Sequence, residues 1–153
     1  AVAPERRVFV EKLNDKLLEQ GCELVIKEVK SGYTATYQLE KKTVMNWVFR
    51  KTGIWARIYG DNAGRYEKVI AALPADMQKK MRAYRDCKRL IDPDACSGTC
   101  VKGFVYSLNG ETQKKCRNDG MLFLLTEETA EYIAGLICAE VAVRKLALQQ
   151  LNR

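Results

Sequence analysis

The sequence contains no histidine, few prolines and no long apolar run. Without an imidazole, the chain can build neither a catalytic triad with a histidine base nor a zinc site with histidine ligands. Only three residues are proline and ten are glycine, while 47% are hydrophobic, which excludes a disordered or fibrous chain. Because no apolar run approaches the roughly 18–20 residues of a membrane span, and no signal peptide is recognisable, we expect a cytoplasmic protein without a membrane partner.

Length and charge fit one basic domain with an uneven charge distribution. A chain of 153 residues corresponds to about one domain of roughly 150 residues, so we expect a single α+β domain over residues 1–153. The net charge is +7, and residues 41–60 contribute five basic side chains and no acidic one. A local excess of this kind favours an anionic partner, either nucleic acid or an acidic protein. The alternative is that the charge serves solubility only.

The first 60 residues predict a helix followed by an antiparallel meander. Pro4 favours the start of a helix, and an apolar stripe at i, i+4 spacing continues to Gly21, which ends it. Short turns separate four strand patterns, at residues 22–30, 33–39, 43–49 and 54–59. Four such strands in succession are most simply an antiparallel sheet.

The middle of the chain predicts two short helices and a loop. Asp61 or Asn62 is a suitable N-cap for a helix that ends before Pro74, where the second helix begins. Residues 86–102 show no periodicity and contain three cysteines. We therefore expect a cysteine-rich loop.

The last third predicts a hairpin, a strand and a long helix. The dipeptide Asn109-Gly110 is a strong hairpin signal between two strand patterns. A strand follows at 121–125, and Thr126 caps the final helix. The predicted fold class is α+β, an antiparallel sheet with helices packed on it.

Two stretches, at residues 37–70 and 106–137, share the order strand, basic hairpin, strand and helix. This similarity predicts a weak internal duplication. In that case the two strand sets would join around a pseudo-twofold axis with the helices on one side. Chance similarity within an ordinary α+β architecture is the alternative.

Four of the six cysteines lie in and around the predicted loop with the spacing C-x8-C-x3-C-x15-C, namely Cys87, Cys96, Cys100 and Cys116. Zinc prefers four tetrahedral soft ligands, and thiolates supply both softness and charge. We therefore expect a structural four-cysteine zinc site that holds an otherwise unsupported loop. Disulfides among these four residues, or unconnected thiols, remain the alternatives, and an iron–sulfur cluster is a further one.

The neighbouring residues of each cysteine indicate whether it is a metal ligand or a core residue. Cys116 shares a strand face with Thr112 and Lys114 instead of an apolar row, which favours a role for its sulfur. Cys22 and Cys138 have apolar neighbours and are expected in the core. The ligand pattern is flanked by cations that would offset the negative charge of four thiolates and lower the thiol pKa values: Lys88, Arg89, Lys115 and Arg117.

Two segments carry basic side chains suited to phosphate contacts. In residues 41–57, Trp47 and Trp55 accompany the cations, and cations beside exposed aromatic rings suit single-stranded nucleic acid. The run at 79–89 holds six basic residues and one acidic one. The candidate anion-binding residues are Lys42, Arg50, Arg57, Lys79, Arg82, Arg85, Lys88 and Arg89. Alternatively, both tryptophans belong to the core and the cations solvate the sheet edge.

Nothing in the sequence marks a catalytic centre. A phosphate-cradling glycine loop and a G-x-S-x-G turn are both absent, so no catalytic residue is assigned. The functional hypothesis is a non-catalytic binding or adaptor domain with a structural zinc ion and a basic surface for an anionic partner. Its rival is a thiol-based redox protein, although the Cys96–Cys100 spacing is one residue longer than a CxxC motif.

Several blocks of the sequence resemble a family of small uncharacterised bacterial proteins. These blocks are DCKRLIDPDAC at 86–96, Cys100-x-x-Gly103, Asn109-Gly110-Glu111, KKCR at 114–117 and RIYGDN at 57–62. The resemblance spans roughly residues 24–140 and is most specific in its cysteine-containing blocks. It implies a cytosolic bacterial protein, and no activity comes with it. The order of strands and helices is also loosely similar to small MmcQ/YjbR-type α+β domains.

Overall fold

One helix and four strands form the N-terminal part of the protein, for which we have a computed structural model that describes residues 4–30, 32–96, 100 and 102–151. These elements are α1 (Pro4–Glu19), β1 (Glu23–Val29), β2 (Gly32–Leu39), β3 (Lys42–Arg50) and β4 (Gly53–Ile58). Their bounds agree with the helix and the meander that the apolar spacing predicts.

Short helices, a hairpin and one long helix form the C-terminal part. After a 3-10 turn at Ala63–Arg65 come α2 (Glu67–Ala71), α3 (Ala75–Ala83), α4 (Lys88–Ile91), β5 (Phe104–Leu108), β6 (Glu111–Lys115), β7 (Leu122–Leu124) and α5 (Ala130–Leu151). Within the described ranges, no helix combines the length and the apolar content needed to cross a membrane.

The strands form two sheets. Five of them make an antiparallel sheet in the order β1-β2-β3-β4-β7, and β5 pairs with β6 in a separate two-stranded unit, called the ribbon below. Helix α5 contacts β3 and β4, α1 contacts α5 and β1, and α2 contacts α5 and β5. The fold is therefore α+β with helices packed on an antiparallel sheet, as predicted.

Alternation along the strands decides which side chains meet the helices. Met45 pairs with Tyr37 on one side and Ile58 on the other, and all three side chains are buried in the core. Neighbouring positions point to the opposite side of the sheet, called the open face below. Its two central rows are Lys27, Thr34, Val48, Trp55 and Leu124, and Val25, Thr36, Asn46, Arg57 and Leu122.

The segment after β4 differs from the prediction of one capped helix. A 3-10 turn comes first, and α2 has only five residues. Asn62 precedes the 3-10 turn but makes no side-chain capping bond. Instead, its Nδ2 donates to Glu140 Oε2 at 2.8 Å and its backbone N–H donates to Glu140 Oε1 at 3.0 Å. The Asn62 side chain, which the sequence pattern predicts as a helix cap, therefore binds Glu140 on α5 instead.

A buried polar network joins α5 to the sheet. Glu140 is fully buried, and it also accepts hydrogen bonds from the Tyr66 hydroxyl at 2.8 Å and from Arg144 Nε at 2.7 Å. Arg144 donates further to the carbonyls of Thr43 at 2.8 Å and Tyr59 at 3.0 Å. Burial raises the pKa of Tyr66 far above its ordinary value, and the adjacent Glu140 carboxylate raises it further. The network thus fixes the helix against the ends of two strands.

The pairing of β7 with β4 bears on the predicted duplication. Ala56 lies opposite Phe123. Ala56 and Phe123 are separated by the same number of residues as Gly53 and Gly120, which are equivalent positions in the two similar stretches. Ala56 and Phe123 are therefore equivalent as well, and their antiparallel pairing places a local twofold axis between them, as a duplication requires. The ribbon, however, does not continue the main sheet beyond β7. The two strand sets therefore join only through β4 and β7, and β5 and β6 lie outside the main sheet.

Candidate functional site

Two of the four candidate zinc ligands lie on adjacent segments of backbone. Asp86 and Lys115 form a bridge at the end of the ribbon. The N–H groups of Cys87 and Cys116 each donate to the opposite segment at 2.9 Å. The two cysteines therefore flank the same bridge on one face, as diagonal neighbours across an antiparallel pair. Such neighbours are typically about 7–8 Å apart, within reach of a bridging group.

Gly103 lies against this pair of cysteines. Its N–H donates to Cys87 Sγ at 3.3 Å. A Cβ at this position would overlap the carbonyl oxygen of Lys115 and would lie 2.9 Å from Cys87 Cβ. The close approach of the loop to the ribbon therefore requires a residue without a side chain.

Substitution of Gly103 by alanine is expected to lower the free energy of unfolding by about 1–3 kcal/mol, because the added methyl group meets backbone that cannot move alone. Thermal or urea denaturation measures the change. The matched control is Gly135→Ala in α5, where nothing lies within 4 Å of the added atom. This control should raise stability by up to about 1 kcal/mol through helix propensity. Equal effects of the two substitutions would contradict the close approach.

Cys100 joins the other three cysteines. Its side chain lies close enough to that of Cys96 for the two to interact. Burial raises the pKa of Cys100, and the hydrogen bond and charge of Cys96 and the charges of Cys116 and Cys87 raise it further. Cys100 therefore lies close enough to Cys87, Cys96 and Cys116 for their charges to act on its thiol, and the four residues are called the cysteine cluster below.

The backbone near the cluster has two further supports. A guanidinium N–H of Arg89 donates to the carbonyl of Cys100. Cys96 has a positive φ of 67°, which an L-residue adopts at a tight turn. Residues 97–99 and 101, which the sequence assigned to the same loop, lie outside the described residues.

The cluster does not have the geometry of a metal centre as it stands. Among residues 4–30, 32–96, 100 and 102–151, no group of three or more Cys, Asp or Glu side chains is arranged to hold a metal ion. The thiols of Cys87 and Cys116 are not joined by a disulfide. A zinc ion would therefore have to draw these side chains closer together.

Two of the four cations expected beside the cluster have other partners. Lys115 is only 2% exposed, and its Nζ bonds to Asp86 Oδ1 at 2.8 Å and to the Arg82 carbonyl at 2.8 Å. Arg117 bonds to Asp61 at 3.0 Å and stacks over the ring of Tyr59. The alternation that places Cys116 beside Thr112 and Lys114 turns Lys115 to the opposite face, so the prediction of Lys115 as a cation beside the cluster is wrong.

The two cysteines assigned to the core differ from each other. Cys22 is buried, and burial raises the pKa of its thiol. Cys138 is half-buried, and it lines a small cavity of about 160 Å³ with Leu17 and Val141. Both lie among apolar neighbours, as the sequence suggested.

The basic run at 79–89 lies on α3, α4 and the segment between them. Lys79, Arg82 and Lys88 are exposed. For Lys79 and Arg82 this is expected, because they lie on the side of α3 opposite the buried Met77 and Met81. Arg85 is also exposed and lies 3.8 Å from Asp119. This run is a solvated cationic surface next to Cys87.

The second basic candidate lies on the open face. Trp47 is buried in the core, whereas Trp55 is only partly buried on the open face. The alternative that both tryptophans are core residues is therefore wrong for Trp55. Arg50 lies over the Trp55 ring, with Cζ 5.7 Å from the ring centroid. Lys42 lies at the opposite end of β3 from Arg50, so it is not part of this group.

Arg57 occupies the middle of the same face. In register it lies between Asn46 on β3 and Leu122 on β7. Its Nε is buried and has no hydrogen-bond partner among the described residues. Arg50 and Arg57 both line an open cavity of about 600 Å³ together with Thr34, Val48, Phe49 and Lys51. This combination of cations, a ring and free space could accept an anionic chain.

Comparison with known proteins identifies no counterpart: no family model, no curated protein and no solved structure matches the chain. The resemblance to small bacterial proteins therefore stays a prediction.

Proposed function

We propose that the protein is a non-catalytic binding module that takes single-stranded nucleic acid on its open face and holds a structural zinc ion in the cysteine cluster. The bacterial, cytoplasmic origin that the sequence resemblance implies belongs to the same proposal. Each part has its own physical support.

The observation that carries the binding role is Arg57. Arg57 places a guanidinium among the residues that line the open cavity, and its Nε is one of five buried polar side-chain atoms without a hydrogen-bond partner among the described residues. A phosphate oxygen in this cavity would meet the positive charge of the guanidinium group. Trp55 lies on the same face of the sheet, two residues before Arg57 on β4, and its ring can stack on a nucleic-acid base.

Charge around this group favours an anion. Residues 41–60, which include β3 and β4, carry no acidic side chain. The cation–π contact with Arg50 holds the Trp55 ring beside a second guanidinium. Stacking is tolerant of base identity, and the phosphate contacts carry no sequence information. We therefore expect weak sequence preference and strong salt dependence.

Binding of a labelled oligothymidylate of about 20 nucleotides, followed by fluorescence anisotropy, tests this role. Trp55→Leu should weaken binding by about 5- to 150-fold, which corresponds to the loss of roughly 1–3 kcal/mol of stacking. Arg57→Gln should weaken it for all sequences and reduce the salt slope by about one. The control is Lys12→Gln on α1, an exposed cation that is not on the open face.

Two results would contradict the binding role. One is no binding at low salt, or an affinity that does not change between ~50 and ~200 mM salt. The other is an equal effect of Lys12→Gln and Arg57→Gln, which would assign any binding to net charge alone. Binding of an acidic protein in place of the oligonucleotide would favour the other anionic partner.

The zinc part rests on the neighbouring positions of Cys87 and Cys116 and on the effect of the cluster's charges on Cys100. Cys87 and Cys116 are held by backbone hydrogen bonds, and Gly103 donates an N–H to the sulfur of Cys87. Donors of this kind orient metal-bound thiolates. With four thiolates the ion would be fully coordinated, so its role would be to fix the loop to the ribbon.

A thiol redox role has one observation in its favour, the interaction between the side chains of Cys96 and Cys100. A reactive thiol, however, needs a lowered pKa. The pKa of Cys100 is raised, first by burial and then by its neighbours. We therefore keep metal binding as the proposal for the cluster.

A further inference from the structure

The strand β1 is an exposed edge of the main sheet. It is the terminal strand in the sheet order and pairs with β2 on one side. Its aliphatic side chains are unusually accessible: Ile26 is 64% exposed and Leu24 is 38% exposed. A long edge strand with aliphatic side chains is a template for pairing with another strand, and most proteins protect such an edge.

Both faces of β1 carry a pattern. Leu24 and Ile26 share the helix-covered face with Tyr37 and Ala35, their partners on β2. Glu23, Val25 and Lys27 alternate with them and therefore lie on the open face.

This pattern is complementary to itself. When two copies of β1 run antiparallel with Val25 opposite its own copy, Leu24 lies opposite Ile26 of the second copy. On the other face, Glu23 then lies opposite Lys27 of the second copy. A shift by one residue would instead place Glu23 opposite Glu28 and turn apolar side chains toward polar ones. The register centred on Val25 therefore combines apolar contact with two opposite-charge pairs.

We propose that the protein forms a twofold homodimer through antiparallel pairing of its β1 strands, in the register centred on Val25. The main sheets of the two copies then form one continuous sheet. Because residues directly opposite each other point to the same side, the two open faces lie side by side. This assembly does not depend on what the open face binds.

Sedimentation equilibrium of the full chain and of charge variants tests the register. Lys27→Glu places like charges opposite each other twice, and it should weaken the dimer by about tenfold or more. The double variant Glu23→Lys/Lys27→Glu exchanges the charges and should restore the affinity of the original protein. The control Lys12→Glu changes net charge equally on α1 and should leave the dimer intact. Circular dichroism establishes that each variant folds.

A cross-link locates the axis directly. Val25→Cys places two thiols opposite each other at a Cα separation of about 4.5–5.5 Å, which a disulfide can span. We expect a covalent dimer whose cross-linked peptides join position 25 to itself, whereas Lys27→Cys should not cross-link to itself. A mass of one chain at all concentrations up to about 0.5 mM, well beyond a micromolar dimer, would overturn the proposal. A dimer that Lys27→Glu leaves unchanged, or a dimer without the position-25 cross-link, would overturn it as well.

Discussion

Substitution of Arg144 by leucine is expected to lower the free energy of unfolding by about 3–5 kcal/mol, a large part of the total for a domain of this size. The reason is Glu140, whose fully buried carboxylate would lose the cation 2.7 Å away. The carbonyls of Thr43 and Tyr59 would lose their donor as well. Urea denaturation followed by circular dichroism measures the change.

Two controls separate the buried pair from ion pairs in general. Arg7 lies 3.9 Å from Glu11 with 74% of its side chain exposed, so Arg7→Leu should cost less than about 1 kcal/mol. The double variant Glu140→Leu/Arg144→Leu removes both charges and should be more stable than Arg144→Leu. A loss below about 1 kcal/mol in Arg144→Leu would show that the carboxylate is not held as the structure describes.

Substitution of Cys116 by serine should weaken zinc binding by more than about 100-fold, because loss of a ligand exceeds the 10- to 100-fold effect of losing an outer contact. Cys116 lies just beyond β6, and its sulfur is on the same face of the ribbon as that of Cys87. The zinc-to-protein ratio after competition with a chelator measures this. Without the ion, the loop before Gly103 should also exchange its amide hydrogens faster.

The control for zinc is Cys138→Ser, since Cys138 is half-buried on α5 and not part of the cysteine cluster. This variant should keep its zinc. Equal zinc content in both variants would contradict the four-cysteine site. Native mass spectrometry of the purified protein tests the alternative of disulfides. Absence of zinc together with a mass lower by two hydrogens for each pair of thiols would show disulfides in place of a zinc site, and it would favour the redox function.

Only part of the geometry of the cysteine cluster could be predicted from the sequence. The alternation in residues 111–117 indicates that Cys116 lies on the opposite face from the apolar row, and the structure agrees. Spacing could not show that Arg85, Asp86 and Cys87 pair with the end of the ribbon, because that contact joins segments distant in the chain. The same pairing buries Lys115, which the sequence treats as a free cation.

The polar network around Glu140 was missed altogether. On α5, Glu140 and Arg144 are an ordinary i, i+4 pair of the kind usually found on a solvated face. The position of Glu140 between Ile137 and Val141, within the apolar stripe, was the available signal. Only the approach of Tyr66 and of the strand ends turns the pair into a buried anchor.

Residue order alone determined most local features of this protein: the helix α1, the four-strand meander, the hairpin at Asn109-Gly110, the long helix α5 and the α+β class. These follow from periodicity, capping and turn residues, which act over a few positions. Residue order did not determine the 3-10 turn at Ala63–Arg65 or the short helix α4, which lies in the segment predicted as a loop. Tertiary structure decided the rest: that β7 joins β4 while the ribbon stays apart, that Trp55 and Arg57 remain on an open face, and that β1 is an exposed edge. The physical reason is that burial and strand pairing depend on which segments, distant in the chain, come into contact in the fold. Local sequence patterns act over a few residues and do not specify those contacts.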